Sequence, residues 1–352
     1  LKSQMIVAHG APLEEVSEAN PSPQGTEVLL RINHCGVCHS DVHLHDGYFK
    51  LGGEKKLDTT GLHTLPFTLG HEIEGEVSAM GGQAKNVSVG QQCAVFPWIG
   101  CGECTVCKNG KEHMCNQPRA LGVNVDGGYS DHVLVPHPRY LLSYEGIPPE
   151  LAATYMCSGL TAFSALKKIR DMGEDEAIAF VGLGGVGMMG MQFARALFPN
   201  ARLIGADVNK RKLEAASQAG ASLVYNTSEE DAAKRLLKET KGGVAVAIDF
   251  VGSDASLGFA NRIVRKGGKV IIVGLFGGRF SMPIPMFPLR AISLVGSYVG
   301  SLSETKEMLE LVRTGHVNAI PLEVRPIDTA NQTLDDLRAG DVLGRVVLDC
   351  TS

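Results

Sequence analysis

Four cysteines, Cys101, Cys104, Cys107 and Cys115, fall within the glycine-bearing run CGECTVCKNGKEHMC. Four thiolates at this spacing can surround one tetrahedral Zn²⁺, which takes sulfur ligands readily and has no redox chemistry of its own. The run is poor in apolar side chains, so core burial cannot shape it, and metal binding can supply the folding energy instead. Two surface disulfides are the competing arrangement; nothing in the chain points to secretion, which favours the metal. A site closed by four sulfurs is structural, so the chemistry must lie elsewhere.

A second constellation is Gly182-Leu183-Gly184-Gly185-Val186-Gly187, a GxGxxG pattern that follows the apolar run AIAFV and opens a helical one. Asp207 closes the next apolar run, 20 residues after Gly187. Strand, glycine turn, helix and a distant acid together form a dinucleotide-binding fingerprint. Gly182 would permit the tight turn, Gly184 and Gly185 with Val186 would bring backbone N–H groups to a pyrophosphate, and Gly187 would let helix and strand pack closely. Asp207 would accept hydrogen bonds from the adenosine ribose and repel a 2′-phosphate, which predicts NAD over NADP. Lys210, Arg211 and Lys212 follow; they either form a solvated helix face, the expectation for most of them, or rescue some NADP binding, and Lys212 is kept among the coenzyme-binding candidates.

Three further potential ligands are far apart: Cys38 in GVCHSD, His71 in LGHE and Cys157 in MCSG. Two sulfurs and one imidazole leave a fourth position open, the ligand count of a catalytic zinc. Isolated residues of these types are also common core and surface residues, and spacing alone does not bring the three together. Cys35, Cys93 and Cys350 are expected to be inert core thiols.

The elements that must position these residues follow from the hydrophobic pattern. A chain of 352 residues suggests about two domains. The first ~150 residues read as short strands and loops, with Val28–Asn33 and Ile73–Ala79 as strands. A long helical stretch is expected from Glu150 to Arg170, after Pro148–Pro149. Near-continuous apolar strands then alternate with helices: Ala177–Val181, Leu203–Asp207, Leu223–Tyr225, Val246–Phe250, Val270–Val273 and Ile292–Val299, with helices at Val186–Leu197 and Lys210–Gln218. This pattern predicts an α/β fold with a parallel sheet covered on both faces. The formal net charge is −5 and no basic tract or aromatic-basic stripe suggests nucleic acid. No apolar run approaches the ~20 residues that span a bilayer, and the N-terminal residues lack a signal-peptide pattern. A cytoplasmic location is expected.

Taken in order, GVCHSDVH, LGHE, the four-cysteine lobe, MCSGLTA and GLGGVG resemble the zinc-dependent medium-chain alcohol dehydrogenases over essentially the whole chain. The resemblance implies a GroES-like, β-rich catalytic domain (residues 1–158 and 300–352, with a structural zinc lobe at about 96–117) and a doubly wound, parallel-sheet Rossmann domain (159–299). It implies two zinc ions per subunit: a catalytic one on Cys38, His71 and Cys157, and a structural one on the four lobe cysteines. It implies reversible hydride transfer between an alcohol and NAD, with an aldehyde or ketone as the other partner. Asp41 matches the carboxylate that orients the ligand imidazole, and Glu72 the glutamate behind the zinc. Ser40 and His43 match a proton relay, while His39 and His45 are expected to be surface histidines. Thr161, Val273, Gly274 and Leu275 resemble residues that contact the nicotinamide end, and Arg345 a base near the pyrophosphate.

The stretch from Phe49 to Leu65 looks longer than its family counterparts and is expected to be a polar surface loop, either rimming the substrate entrance or functionally neutral. Trp98 and Phe49 are candidates for the pocket wall, which would favour medium or bulky apolar alcohols. The run Ile292–Gly300 resembles the segment through which cofactor domains pair, so a homodimer or homotetramer is expected. A polyol dehydrogenase on the same scaffold typically carries a glutamate where this chain has Cys157, and a zinc-free quinone reductase would lack the ligand set.

Overall fold

A computed structural model describes residues 1–170, 172–173 and 175–352. The apolar runs of the middle of the chain pair as six parallel strands. In sheet order these are Leu223–Asn226, Arg202–Asp207, Ala177–Val181, Val244–Asp249, Val264–Ile272 and Ser293–Gly296. Every residue of Ala177–Val181 and of Val244–Asp249 is buried, which is why these runs are continuous rather than alternating. Each large aliphatic side chain so buried contributes ~1.5–3 kcal/mol. The strand order reverses between Ala177–Val181 and Val244–Asp249, and the crevice outside the carboxyl ends of such strands is where open α/β sheets bind ligands.

A second, mixed sheet runs Leu141–Leu142, Gln92–Val95, Glu72–Met80, Val28–Val37, Arg345–Asp349, Leu322–Pro326, with His132–Val135 also on Val28–Val37. Its register assembles the site. Gly36 lies opposite Glu72, and Val37 lies opposite Val346. The strand ends that carry Cys38, Glu72 and Arg345 are therefore neighbours, although the residues span most of the chain. A small sheet of Glu14–Ser17, Lys2–Ile6 and Phe67–Thr68 sits beside it.

Several elements differ from the sequence expectation. The strand expected to stop at Asn33 continues to Val37, because polar His34 faces Glu74 across the pair, 2.8 Å from its carboxylate. The last parallel strand is only Ser293–Gly296. The stretch expected as one helix from Glu150 is Pro149–Thr154, a widened π-type turn at Tyr155–Gly159, and Leu160–Leu166. Pro149 is the first helical residue rather than a stop, as its fixed φ and missing N–H allow. The helix His39–Asp46 was not anticipated; with three histidines in eight residues it carries little apolar periodicity. Gly47, at φ 79°, ends it. Among the described residues, no helix is long and apolar enough to cross a membrane.

Candidate active site

The ligand atoms of Cys38, His71 and Cys157 lie within 4.8 Å of one another, and all three residues are buried. Cys38 stands at the junction of strand Val28–Val37 and helix His39–Asp46. His71 immediately precedes strand Glu72–Met80, behind Gly70, whose φ of 96° suits glycine and whose Cβ would press on Tyr129. Cys157 sits in the π-type turn, an irregularity that recurs at functional sites. The Asp41 carboxylate links the first two of them. Its Oδ2 accepts the Cys38 N–H at 2.8 Å and the Tyr129 hydroxyl at 3.0 Å, and its Oδ1 stands 3.1 Å from His71 Nδ1.

His71 Nε2 is wholly buried without a hydrogen-bond partner. An orphaned imidazole nitrogen beside two sulfurs is costly in an apo protein and fitting for a metal ligand. The hydrogen bond from Cys157, followed by His71, holds the Cys38 thiol well below its usual range, which favours the thiolate that binds metal.

Glu72 lies directly behind this cluster. Its Oε1 accepts both the N–H (3.0 Å) and the hydroxyl (2.7 Å) of Ser158, and its Oε2 is paired with the Arg345 guanidinium. Burial pushes the Glu72 carboxyl up, with Arg345 opposing it. Arg345 is itself buried, and its Nε has no partner. Its side chain packs so closely on Gly185 that a Cβ there would overlap it. Arg345 thus spans from Glu72 to the start of helix Gly185–Leu197.

Helix His39–Asp46 carries Ser40 and His43, the two residues expected to form a relay. Ser40 and His43 are half-buried, and the His43 ring is 4.7 Å from Phe49 and 5.5 Å from His39. Burial, reinforced by His39, lowers the His43 pKa to about 4, so the ring is neutral at pH 7 and free to accept a proton. The expectation that His39 and His45 are surface residues is incorrect. His45 is buried, its Nε2 2.6 Å from the Ala11 carbonyl and its Nδ1 2.7 Å from Arg338. It ties the helix to the N-terminal segment and to helix Ala330–Ala339. His39 is half-buried with its ring 6.4 Å from Phe276, and the charges of Arg345 and Lys212 reach it. Helical spacing, which puts His39 on the face of His43, was the available signal.

Trp98 is buried, donates its indole N–H to the Met156 carbonyl at 3.0 Å, and stands 5.3 Å from the His71 ring. Tyr298, half-exposed, meets its edge at 6.1 Å. In the sequence Tyr298 stands only in the expected strand and pairing segment 292–300, with nothing to mark it as a neighbour of Trp98. The stretch after Phe49 is not a featureless loop: Tyr48–Lys50 pairs with Lys56–Asp58 as a hairpin. Its tip is packed on the coenzyme-side loop; a Cβ on Gly52 would be 3.0 Å from Arg279 Cβ, and a Cβ on Gly277 would overlap the Lys50 carbonyl.

On the coenzyme side, Gly182 has φ 91°, and a Cβ on Gly187 would overlap the Gly182 carbonyl. Around Gly184 the space is open. Asp207 Oδ2 accepts the Leu183 N–H at 2.7 Å and Oδ1 accepts the Asn209 N–H at 2.9 Å, so it also braces the glycine turn. Thr161 is the one residue of helix Leu160–Leu166 that is not buried. Val273 and Gly274 are half-buried, and Leu275 is exposed.

Known proteins place the chain in one family. The family model described as "Alcohol dehydrogenase GroES-like domain" matches residues 24–145, and that described as "Zinc-binding dehydrogenase" matches residues 185–314. An NAD-dependent alcohol dehydrogenase of Sulfurisphaera tokodaii is 36% identical over 350 residues, 99% of each chain. One from Saccharolobus solfataricus is 37% identical over 351 residues, again 99% of each. The chain belongs to the zinc-dependent medium-chain alcohol dehydrogenase family. The solved alcohol dehydrogenase of the hyperthermophilic archaeon Aeropyrum pernix superposes with a TM-score of 0.89 at 30% identity, over 99% of this chain and 100% of that one.

In this medium-chain dehydrogenase the four clustered cysteines also form a compact group. The sulfurs of Cys101, Cys104, Cys107 and Cys115 lie within 4.8 Å of one another. Backbone N–H groups of Cys101, Cys104, Cys107 and Gln117 point at sulfurs at 3.3–3.5 Å, which suits thiolates. Buried Glu112 anchors the lobe, accepting the Tyr140 hydroxyl at 2.7 Å and pairing with Arg139. Glu112, Tyr129 and Ser158 had no sequence signal, because each acts through a partner distant in the chain.

Proposed function

We propose that this dehydrogenase is an NAD-linked alcohol dehydrogenase with two zinc ions per subunit, catalysing reversible hydride transfer between apolar alcohols and NAD. The observation that carries this reading is the orphaned His71 Nε2 in a buried cluster with the sulfurs of Cys38 and Cys157, backed by Glu72, whose partner Arg345 packs on Gly185 of the glycine turn. Cys38, His71 and Cys157 hold the catalytic zinc, and Cys101, Cys104, Cys107 and Cys115 hold the structural one. Zinc in a three-ligand site supplies a Lewis acid for an alcohol or carbonyl oxygen, and the nicotinamide supplies the hydride acceptor.

The chain's own residues do the rest. The Asp41 carboxylate faces His71 Nδ1 at 3.1 Å, which leaves Nε2 for the metal. Glu72, held by Ser158 and Arg345, adds negative charge behind the sulfurs. Gly182 to Gly187 and the start of their helix receive the pyrophosphate, with Arg345 Nε as a further donor. Asp207 takes the adenosine ribose, Lys212 is a further coenzyme contact, and Thr161, Val273 and Leu275 would contact the nicotinamide end. Ser40 takes the alcohol proton, and neutral His43 passes it to solvent. Trp98, Tyr298 and Phe49 wall the entrance with aromatic surface, which favours medium or bulky aliphatic, benzylic or aryl alcohols over small ones. The edge strand Ser293–Gly296 and exposed Ile284 and Leu289 support pairing of two or four copies.

The test is an absorbance screen for NADH with NAD⁺ and a panel of aliphatic, benzylic and polar alcohols, with and without a zinc chelator. Chelator-sensitive turnover that favours the apolar members is expected. NADH formation unaffected after both metal sites are stripped would overturn the reading.

A further inference from the structure

Strand Val244–Asp249 ends on a carboxylate that is wholly buried and fully engaged. Asp249 Oδ1 accepts the N–H groups of Val251 (2.9 Å) and Gly252 (3.1 Å), and Oδ2 accepts the Ser256 hydroxyl at 3.0 Å. The Asp249 main-chain carbonyl accepts two more N–H groups, those of Val273 (2.9 Å) and Gly274 (3.0 Å). One residue therefore fixes two segments: the turn 250–253 through its side chain, and the 273–274 exit of the neighbouring strand through its backbone.

Beyond Asp249 the two segments are laced together. Phe276 donates to the Val251 carbonyl at 3.0 Å and Gly277 to the Gly252 carbonyl at 2.9 Å. There is no slack between them, since a Cβ on Gly252 would overlap Gly274 and a Cβ on Gly274 would overlap Val251. On the other side, Val251 Cγ2 stands only 2.5 Å from where a Gly182 Cβ would be. The turn at Gly182, the 250–253 turn and the 273–277 loop are thus spaced by contact, and the carboxylate of Asp249 holds the middle one. Its own atoms are shielded from the crevice, so it touches no ligand directly.

We propose that Asp249 is a positioning residue for the coenzyme: its carboxylate sets the spacing between the Gly182 turn and the 273–277 loop that the nicotinamide half of NAD requires. This rests on the reading above that these loops hold NAD. A carboxylate suits the task because two N–H groups and a hydroxyl converge on it, and an apolar side chain would leave the Val251 and Gly252 N–H groups unpaired, with only the Ser256 hydroxyl keeping another acceptor, the Ser253 carbonyl at 3.2 Å.

Asp249→Ala and Asp249→Asn are compared with the wild-type holoenzyme by NADH fluorescence titration and by steady-state kinetics. Asp249→Ala should raise both the NADH Kd and the KM for NAD⁺ about tenfold, with kcat at saturating NAD⁺ and the KM for alcohol within about twofold of wild type. Asp249→Asn keeps an acceptor oxygen for the Val251 and Gly252 N–H groups and should restore most of the coenzyme affinity. A purely structural role would lower the melting temperature and the active fraction while leaving the NADH Kd of the folded molecules unchanged, and that result overturns the inference. If Asp249→Ala does not fold, Asp249→Asn is read against Gly252→Ala, which keeps the carboxylate but forces the turn away from Gly274. The inference then requires weak NADH binding in Gly252→Ala and near-normal binding in Asp249→Asn, and normal binding in Gly252→Ala overturns it. A wild-type protein that binds no NADH would instead remove the underlying coenzyme reading.

Discussion

Asp41 is the residue on which most of the site converges. It has no role at the reacting atoms, yet it caps the helix that bears Ser40 and His43, receives the Tyr129 hydroxyl, and faces His71 Nδ1. Removing such a partner of a ligand histidine typically costs ~10–100-fold in metal affinity. Asp41→Ala is therefore expected to lose the catalytic zinc to chelator at about that much lower chelator concentration, while the lobe keeps its own ion; a chelator titration with zinc readout measures both. His43 makes a different prediction. With its pKa lowered to about 4, it stays neutral, and able to accept a proton, from pH 7 down to that value. His43→Gln should lower kcat about tenfold at pH 7, and the deficit should shrink toward high pH as hydroxide substitutes for the relay. A pH profile that runs parallel to wild type throughout would remove His43 from the proton path. The cysteines and histidine that the fold gathers into two clusters stood out in the sequence because their types are rare and their chemistry is specific. Tyr129 and Ser158 were not, since a tyrosine or serine acquires meaning only from the Asp41 or Glu72 that the fold delivers to it.

At the level of elements, the strands and glycine turn of the coenzyme half were readable because both faces of their sheet are covered, and continuous apolar runs bounded by glycine have few other uses. The catalytic half was less so. Strand Val28–Val37 carries His34 and Asn33 among its apolar residues, and their partners Glu74 and Gln92 come from other strands. Helix His39–Asp46 is fixed by Asp41, His45 and Gly47 rather than by an apolar stripe. The Tyr48–Asp58 hairpin is the element whose role the sequence left most open. Its packing against Gly277, Gly278 and Arg279 puts a catalytic-side segment on the coenzyme-side loop, next to Phe49 and His43. Shortening residues 52–55 should therefore raise the KM for bulky alcohols by about three- to tenfold, with little change for ethanol. Steady-state kinetics on a chain-length series checks this, and a uniform KM across the series would make the hairpin a neutral insertion.

Across the whole molecule, function depends on bringing the ends of strands from two sheets together. The mixed sheet delivers Cys38, Glu72 and Arg345 from adjacent strand ends, and the parallel sheet delivers the glycine turn. Arg345 is the side chain that spans them, paired with Glu72 on one side and packed on Gly185 on the other. A buried pair of this kind contributes little net stability, but breaking it leaves an uncompensated charge at a cost of ~3–5 kcal/mol, which fixes the relative placement of the two halves. The central claim is that three residues far apart in the chain hold one metal at this junction. Zinc counted per chain in purified wild-type and His71→Ala protein tests it most directly. The account predicts two ions in the wild type and one, retained by the cysteine lobe, in the variant. The same number in both proteins would contradict it.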